Sequence, residues 1–231
     1  MPQNRYFLRE FEPTQSSLTI TDEEFHHLAH VMRKKVGDSI EVTNGRGALA
    51  ECTIQELGKD KAYCKVSTLT QGKKNSFPVT LALAFLRKEH LEFALEKSTE
   101  LGVDTIMLFP AARSEKNELS AHAIERLEGI IISATKQSGR LFLPELFIKK
   151  SLSDAIPSSG CAFFGDLDGE PLPAIPKSPI TIFIGPEGGF TREEKNKLEE
   201  KCRGIRFHEN ILRAETAAIA VTTLFTTQKR L

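Results

Sequence analysis

Ile180-Thr181-Ile182-Phe183-Ile184-Gly185-Pro186-Glu187-Gly188-Gly189-Phe190-Thr191-Arg192-Glu193-Glu194 reads as a strand, a glycine loop and the first turn of a helix. The apolar run is short, rich in β-branched residues and bounded by prolines, which predicts a strand buried on both faces. Thr191 followed three residues later by Glu194 has the spacing of a capping box, in which hydroxyl and carboxylate each satisfy an otherwise orphaned backbone N–H. Strand, loop and helix in that order predict a ligand at the carboxyl end of a parallel strand.

The loop's chemistry narrows the ligand. Gly185, Gly188 and Gly189 allow another molecule to approach the backbone, while Pro186 fixes one φ and removes one donor. Glu187 at the centre, with no Lys-Ser or Lys-Thr pair, separates the loop from the phosphate-binding fingerprints. A carboxylate repels a polyphosphate and suits a cationic or hydroxyl-bearing ligand. A tight structural turn ahead of a capped helix fits the same residues equally well, and both readings stay open at this point.

From Phe77 to the end the pattern alternates. Strands are predicted at Val79 to Leu86, Thr105 to Phe109, Glu145 to Ile148, Cys161 to Gly165, Ile180 to Ile184 and Ile205 to His208. Helices are predicted at His90 to Leu101, Ala121 to Gln137, Arg192 to Cys202 and Glu215 to Lys229. Such alternation predicts a mostly parallel sheet with helices on both faces. The last helix, with Ala217, Ala218, Ile219, Ala220, Val221, Leu224 and Phe225, is apolar on more than one face. It is either buried within the subunit or packed on a second one.

Residues 1 to 75 are of a different kind. Ser39 to Thr43 and Ala48 to Ile54 flank Asn44-Gly45, a hairpin signal that Gly47 lengthens. Ala62 to Leu69 alternates as a further strand. A helix from Asp22 to about Lys35 is predicted behind Thr21 as N-cap, with Glu24 at the capping-box position. These features predict a small, mainly β barrel, closed off by the polar stretch Gln71 to Ser76, so the expected domains are 1–75 and 76–231.

The 231 residues carry 31 basic and 31 acidic side chains, so total charge advertises no polyanionic partner, and an RNA site must be a local patch. Arg33-Lys34-Lys35, ending the first helix, and Lys73-Lys74 offer one, although helix-dipole complementation explains the first group as well. His26 and His30 have metal-ligand spacing, but no H-E-x-x-H motif is completed, and no metal is expected. The four cysteines, Cys52, Cys64, Cys161 and Cys202, form no Cys-x-x-Cys pair and read as buried free thiols. With no eighteen-residue apolar run and no leader-like start, a soluble, cytoplasmic protein is expected. Arg113 and Glu115 follow the Phe109-Pro110 strand end, on the same edge as the glycine loop if the strands are parallel.

Several motifs together resemble the SPOUT (α/β-knot) methyltransferases, specifically the small-subunit (16S) ribosomal RNA uridine-N3 methyltransferases. They are Gly185 to Phe190, Ile211-Leu212-Arg213-Ala214-Glu215-Thr216-Ala217, Glu96-Lys97-x-x-Glu100-Leu101-Gly102-Val103, Gln137-Ser138-Gly139-Arg140, and His27-Leu28 leading to Val31-Met32-Arg33 with Gly37-Asp38. Two positions depart from the family pattern: Phe207-His208-Glu209-Asn210 stands where a Leu-Gly turn is usual, and Lys136 replaces a common Glu. The resemblance implies a PUA-like RNA-binding barrel, a C-terminal α/β trefoil-knot domain with a mostly parallel sheet, and a homodimer. It also implies S-adenosylmethionine held in the knot by Gly185, Pro186, Glu187, Gly188, Gly189, Leu212, Arg213, Ala214 and Thr216. RNA contacts are expected from His27, Arg33, Lys34, Lys35 and Arg140.

In such an enzyme uridine N3 attacks the methyl in line after losing its proton. Arg213 suits charge stabilisation at a uracil oxygen, and Glu187 or Glu215 suits the base. A non-catalytic RNA-binding factor, a nucleotide-dependent enzyme and a methyltransferase for a different RNA are the competing expectations.

Overall fold

A computed structural model describes residues 4–227. The chain divides into two compact units, Met1–Lys74 with Thr135–Leu143, and Asn75–Ala134 with Pro144–Leu231.

The first unit is a five-stranded curled sheet, the PUA-like barrel, in the order β1 (Arg5–Phe7), β3 (Ser39–Thr43), β4 (Ala48–Leu57), β5 (Lys61–Gln71) and β2 (Ser17–Thr21). β1 runs parallel to β3, and the other pairings are antiparallel. Alternation does the folding work: Leu18, Ile20, Ile40, Val42, Ala50, Cys52, Ile54, Ala62 and Cys64 point inward around Tyr6 and Phe11. The β3–β4 turn takes four residues rather than two. Buried Asn44 explains this, because its Oδ1 accepts from Arg46 N at 2.8 Å and from Ala48 N at 3.2 Å while its amide donates to Phe11 O.

The first helix departs from expectation. α1 covers Asp22–His26 and passes into a π-helical turn, His27–Val31, so regular helix stops short of Lys35. Arg33 then adopts φ +52. The capping box expected at Thr21 and Glu24 does not form; the Thr21 hydroxyl donates to Asp22 at 2.7 Å. Glu24 pairs instead with Lys136 at 2.5 Å. That lysine lies in the returning segment, which also joins the barrel through Gly47 N to Leu141 O, Leu143 N to Gly45 O and Arg5 to Arg140 O.

The second unit is built on a six-stranded sheet in the order β11 (Arg203–Arg206), β9 (Cys161–Pro171), β10 (Ile180–Ile184), β6 (Val79–Ala84), β7 (Thr105–Phe109) and β8 (Glu145–Ile148), with every pairing parallel. All five residues of β10 are buried, as its continuous apolar run requires. α2 (Lys88–Glu100), α3 (Ala121–Ser138), the short α4 (Leu152–Ala155) and α5 (Arg192–Glu199) connect the strands, and α6 (Ala214–Thr227) follows β11. α3 belongs to this unit as far as Ala134. α6 buries Ala218, Val221 and Phe225, the last against Phe163, so burial within the subunit accounts for that face. The expected extension of this helix to Lys229 lies outside the described residues. The architecture is that of the α/β-knot class. No helix among the described residues is long and apolar enough to cross a membrane, and no group of three or more metal-ligating side chains occurs among them.

Candidate active site

Because the strands are parallel, their carboxyl ends share one edge, and the loops after β6, β10 and β11 meet there with the outer half of β9, Gly165 to Asp168. They enclose a cavity of about 850 Å³ within the second unit, inside the range of roughly 300–1,000 Å³ typical of small-molecule sites. Gly185, Pro186, Glu187, Gly188 and Gly189 line it from the loop after β10. Ile211, Leu212, Arg213, Ala214 and Glu215 line it from the segment that opens α6. The structure thus brings both expected motifs together. Thr216 does not join them; it is exposed on the first turn of α6, outside the lining.

The glycine loop is fixed from three directions. Gly189 N donates to Pro186 O at 2.8 Å, and Gly189 takes φ +69, which favours glycine there. Arg113 donates to Gly188 O at 2.7 Å and packs so closely that a Cβ on Gly188 would meet it at 3.2 Å. Behind the loop, Thr191 and Glu194 form the expected box, with Glu194 N to Thr191 Oγ1 at 3.2 Å and Thr191 N to Glu194 Oε2 at 2.8 Å. Glu115, expected on this edge, pairs with Arg87 Nε at 2.5 Å.

Glu187 turns toward α2. Its Oε1 accepts from Arg87 N at 3.1 Å and contacts His90 Nδ1 at 3.1 Å. Burial pushes its carboxyl upward, but the backbone N–H groups of Arg87 and of Glu187 itself, together with the His90 ring, outweigh it and hold the group below the ordinary carboxylate value. Glu215, 8% exposed on the first turn of α6, differs: its Oε2 is buried without a hydrogen-bond partner, 3.8 Å from His90 Nδ1. Arg213 is exposed at the cavity wall and makes no ion pair among the described residues.

Arg87, His90, Asp166 and Lys195 also line the cavity and were not singled out from the sequence as site residues. His90 carried one usable signal, its place in the first turn of a helix after a strand's carboxyl end. Lys195 and Asp166 carried none, since their 2.6 Å pairing joins distant segments. At Phe207 to Asn210, where the sequence departs from the family pattern, the turn is supported by His208 Nδ1 accepting from Asn210 N at 3.0 Å.

The expected RNA-contacting residues lie in the first unit. Arg33 and Lys35 are exposed after the π-helical turn, and Lys34 is partly so. His27 is half-buried against the Tyr6 ring, with centroids 5.8 Å apart and Nδ1 unpartnered. The Arg140 backbone carbonyl accepts from Arg5.

A model of the RNA methyltransferase domain matches residues 73–226, and one of the RNA methyltransferase PUA domain matches residues 20–67. Ribosomal RNA small subunit methyltransferase E of Bacillus subtilis is 30% identical, covering 93% of each chain. The protein of that name from Rickettsia conorii is 28% identical over 95% of this chain and 93% of its own. A crystal structure of a ribosomal RNA small subunit methyltransferase E from Neisseria gonorrhoeae, bound to S-adenosyl methionine, superposes with a TM-score of 0.89 at 25% identity, covering 97% of each chain. With both of its parts matched and its glycine loop and Arg213 segment walling one cavity, the chain belongs to the ribosomal RNA small subunit methyltransferase E family.

Proposed function

We propose that the cavity holds S-adenosylmethionine and that the protein methylates N3 of a uridine in small-subunit ribosomal RNA, working in the cytoplasm as a homodimer. The observation that carries this reading is the unpartnered carboxylate oxygen of Glu215 in a small-molecule cavity at the carboxyl edge of a parallel sheet. A buried anion without a partner is costly, so such a site favours a cation or a proton donor. The residues fit the cofactor, which is cationic, hydroxyl-bearing and free of phosphate. Asp166, Glu187 and Glu215 bring negative charge, while Ile184, Phe190, Phe207 and Leu212 bring apolar surface. A lysine, Lys195, does line the cavity, but its charge is committed to Asp166.

When bound, the cofactor supplies a methyl group on positively charged sulfur. The chain's own residues must hold the uracil and handle its N3 proton. Arg213, adjoining Glu215, presents a planar donor fork to a uracil carbonyl oxygen, where charge grows as the proton leaves. Either Glu187 or Glu215 lies where a base is required. The target base must leave its stack to reach the cavity, and much of the acceleration then comes from holding two reactants in line. Gly185 to Gly189, Leu212, Arg213 and Ala214 are the residues we assign to the cofactor. His27, Arg33, Lys34, Lys35 and Arg140 of the barrel are assigned to RNA, and the partly exposed face of α6, with Ile219 and Leu224, to the second subunit.

Titration calorimetry with S-adenosylmethionine, together with mass mapping of 16S rRNA from a deletion strain after adding back purified protein, tests the reading. One restored methyl on uridine N3 is expected. Cofactor binding with a methyl restored elsewhere would move the target, and absence of cofactor binding would leave only an RNA-binding role.

A further inference from the structure

We propose that Glu187 is a positioning residue that caps helix α2 in trans, and that Glu215 is the carboxylate that takes the uridine proton. The second half rests on the methyltransferase reading above; the first does not.

Helix α2 has no side-chain cap of its own. Its N-cap residue, Arg87, makes no side-chain cap hydrogen bond, because a guanidinium has only donors. Its third helical residue is His90, where a capping box would have Glu or Gln reaching back to the N-cap N–H. Glu187 performs that task from one hundred residues away: it accepts the Arg87 N–H at 3.1 Å and engages His90 at 3.1 Å. The same chain shows the ordinary form in α5, where Glu194 accepts the Thr191 N–H at 2.8 Å. A negative charge at a helix start is also favoured by the helix dipole. One oxygen of the loop's carboxylate is therefore engaged by α2, and it anchors the glycine loop to that helix.

Glu215 is the complement. His90 Nδ1 lies within hydrogen-bond distance of Glu187 but 3.8 Å from Glu215 Oε2, which stays unpartnered at the cavity wall. A base needs a free lone pair beside the reacting proton; Glu215 offers a buried, unpartnered oxygen on the cavity-lining segment next to Arg213, whereas Glu187 Oε1 is already held by Arg87 and His90.

Three variants separate the roles. In Glu187→Gln the amide oxygen still accepts from Arg87, so the acidic limb of the pH–rate profile measured in single turnovers at saturating cofactor should persist, whatever the height of its plateau. Glu187→Ala should weaken cofactor affinity about tenfold. Hydrogen exchange at the Arg87 amide of the ligand-free protein should also rise in Glu187→Ala and not in Glu187→Gln. Glu215→Gln should lower the single-turnover rate at least a hundredfold and remove the acidic limb. Loss of the acidic limb in Glu187→Gln would overturn the assignment by making Glu187 the base, and a near-wild-type rate in Glu215→Gln would overturn the other half. The exchange measurement needs no activity, so the cap stands or falls on it even if the protein methylates nothing.

Discussion

Glu194 binds two segments at once: while one of its carboxylate oxygens closes the box with Thr191, the other accepts the Ala112 N–H at 2.8 Å. Ala112 precedes Arg113, whose side chain holds Gly188 O. One buried carboxylate therefore fixes both the start of α5 and the strut under the glycine loop. Glu194→Ala breaks the bond to the N-cap N–H and the part-buried bond to Ala112, each about 0.5–1.5 kcal/mol net. Thermal unfolding should fall by several degrees, whereas Thr191→Ala, which spares the Ala112 bond, should cost less. Equal losses would show that the Ala112 bond contributes nothing.

Arg213 stands exposed beside buried Glu215. Its replacement by Ala should lower methylation about a hundredfold or more, the scale of losing one preorganised donor, with an unchanged melting temperature. Lys should rescue poorly, since a point charge does not replace a planar fork. Full activity in the Lys variant would assign Arg213 a purely electrostatic role.

Burial pushes three thiols up from their ordinary value of 9.0: Cys52, aided by neighbouring Cys64, to about 12, and Cys64 and Cys202 each to about 11. The native state holds these protons more tightly than the unfolded chain does. Their contribution to stability is complete below about pH 9 and is lost as pH climbs toward 11–12. Urea midpoints should therefore be level near pH 8 and drop steeply above pH 9, and native-state alkylation of these three thiols at pH 8 should be slow. A midpoint that stays flat to pH 11 would contradict the argument.

Replacing Arg33, Lys34 and Lys35 together with Ala should weaken binding to small-subunit RNA and flatten its dependence on salt. The slope of log affinity against log salt should shrink by about two to three units, three phosphate contacts at roughly 0.7–0.9 each. Cofactor affinity should not change, because the cavity is lined by second-unit residues alone. An unaltered salt slope would remove these residues from the RNA site.

The two candidate capping boxes show how far the sequence could be read. Thr191 and Glu194 were legible because both partners lie within four residues and the distant partner, Ala112, takes the other carboxylate oxygen. Thr21 and Glu24 have the same spacing, but Glu24 finds Lys136, 112 positions away, and the local motif yields to that ion pair. β10 was legible from its unbroken apolar run, whereas β1, three residues paired parallel to β3, has no turn signal to announce it. The cavity's two main walls followed from motifs. His90 and Lys195 did not, since each gains its role from a partner on another segment, at Glu187 and Asp166.

The return of Thr135–Leu143 to the first unit makes the barrel a discontinuous module. Gly47 and Gly45 take hydrogen-bond partners from Leu141 and Leu143, and Glu24 takes its counter-charge from Lys136. A fragment ending at Lys74 would present those groups to water and a half-buried carboxylate without its cation. Exchange of the barrel between family members by a single crossover would thus separate it from its own last segment, so a chimaera needs three junctions and must carry both pieces from one parent.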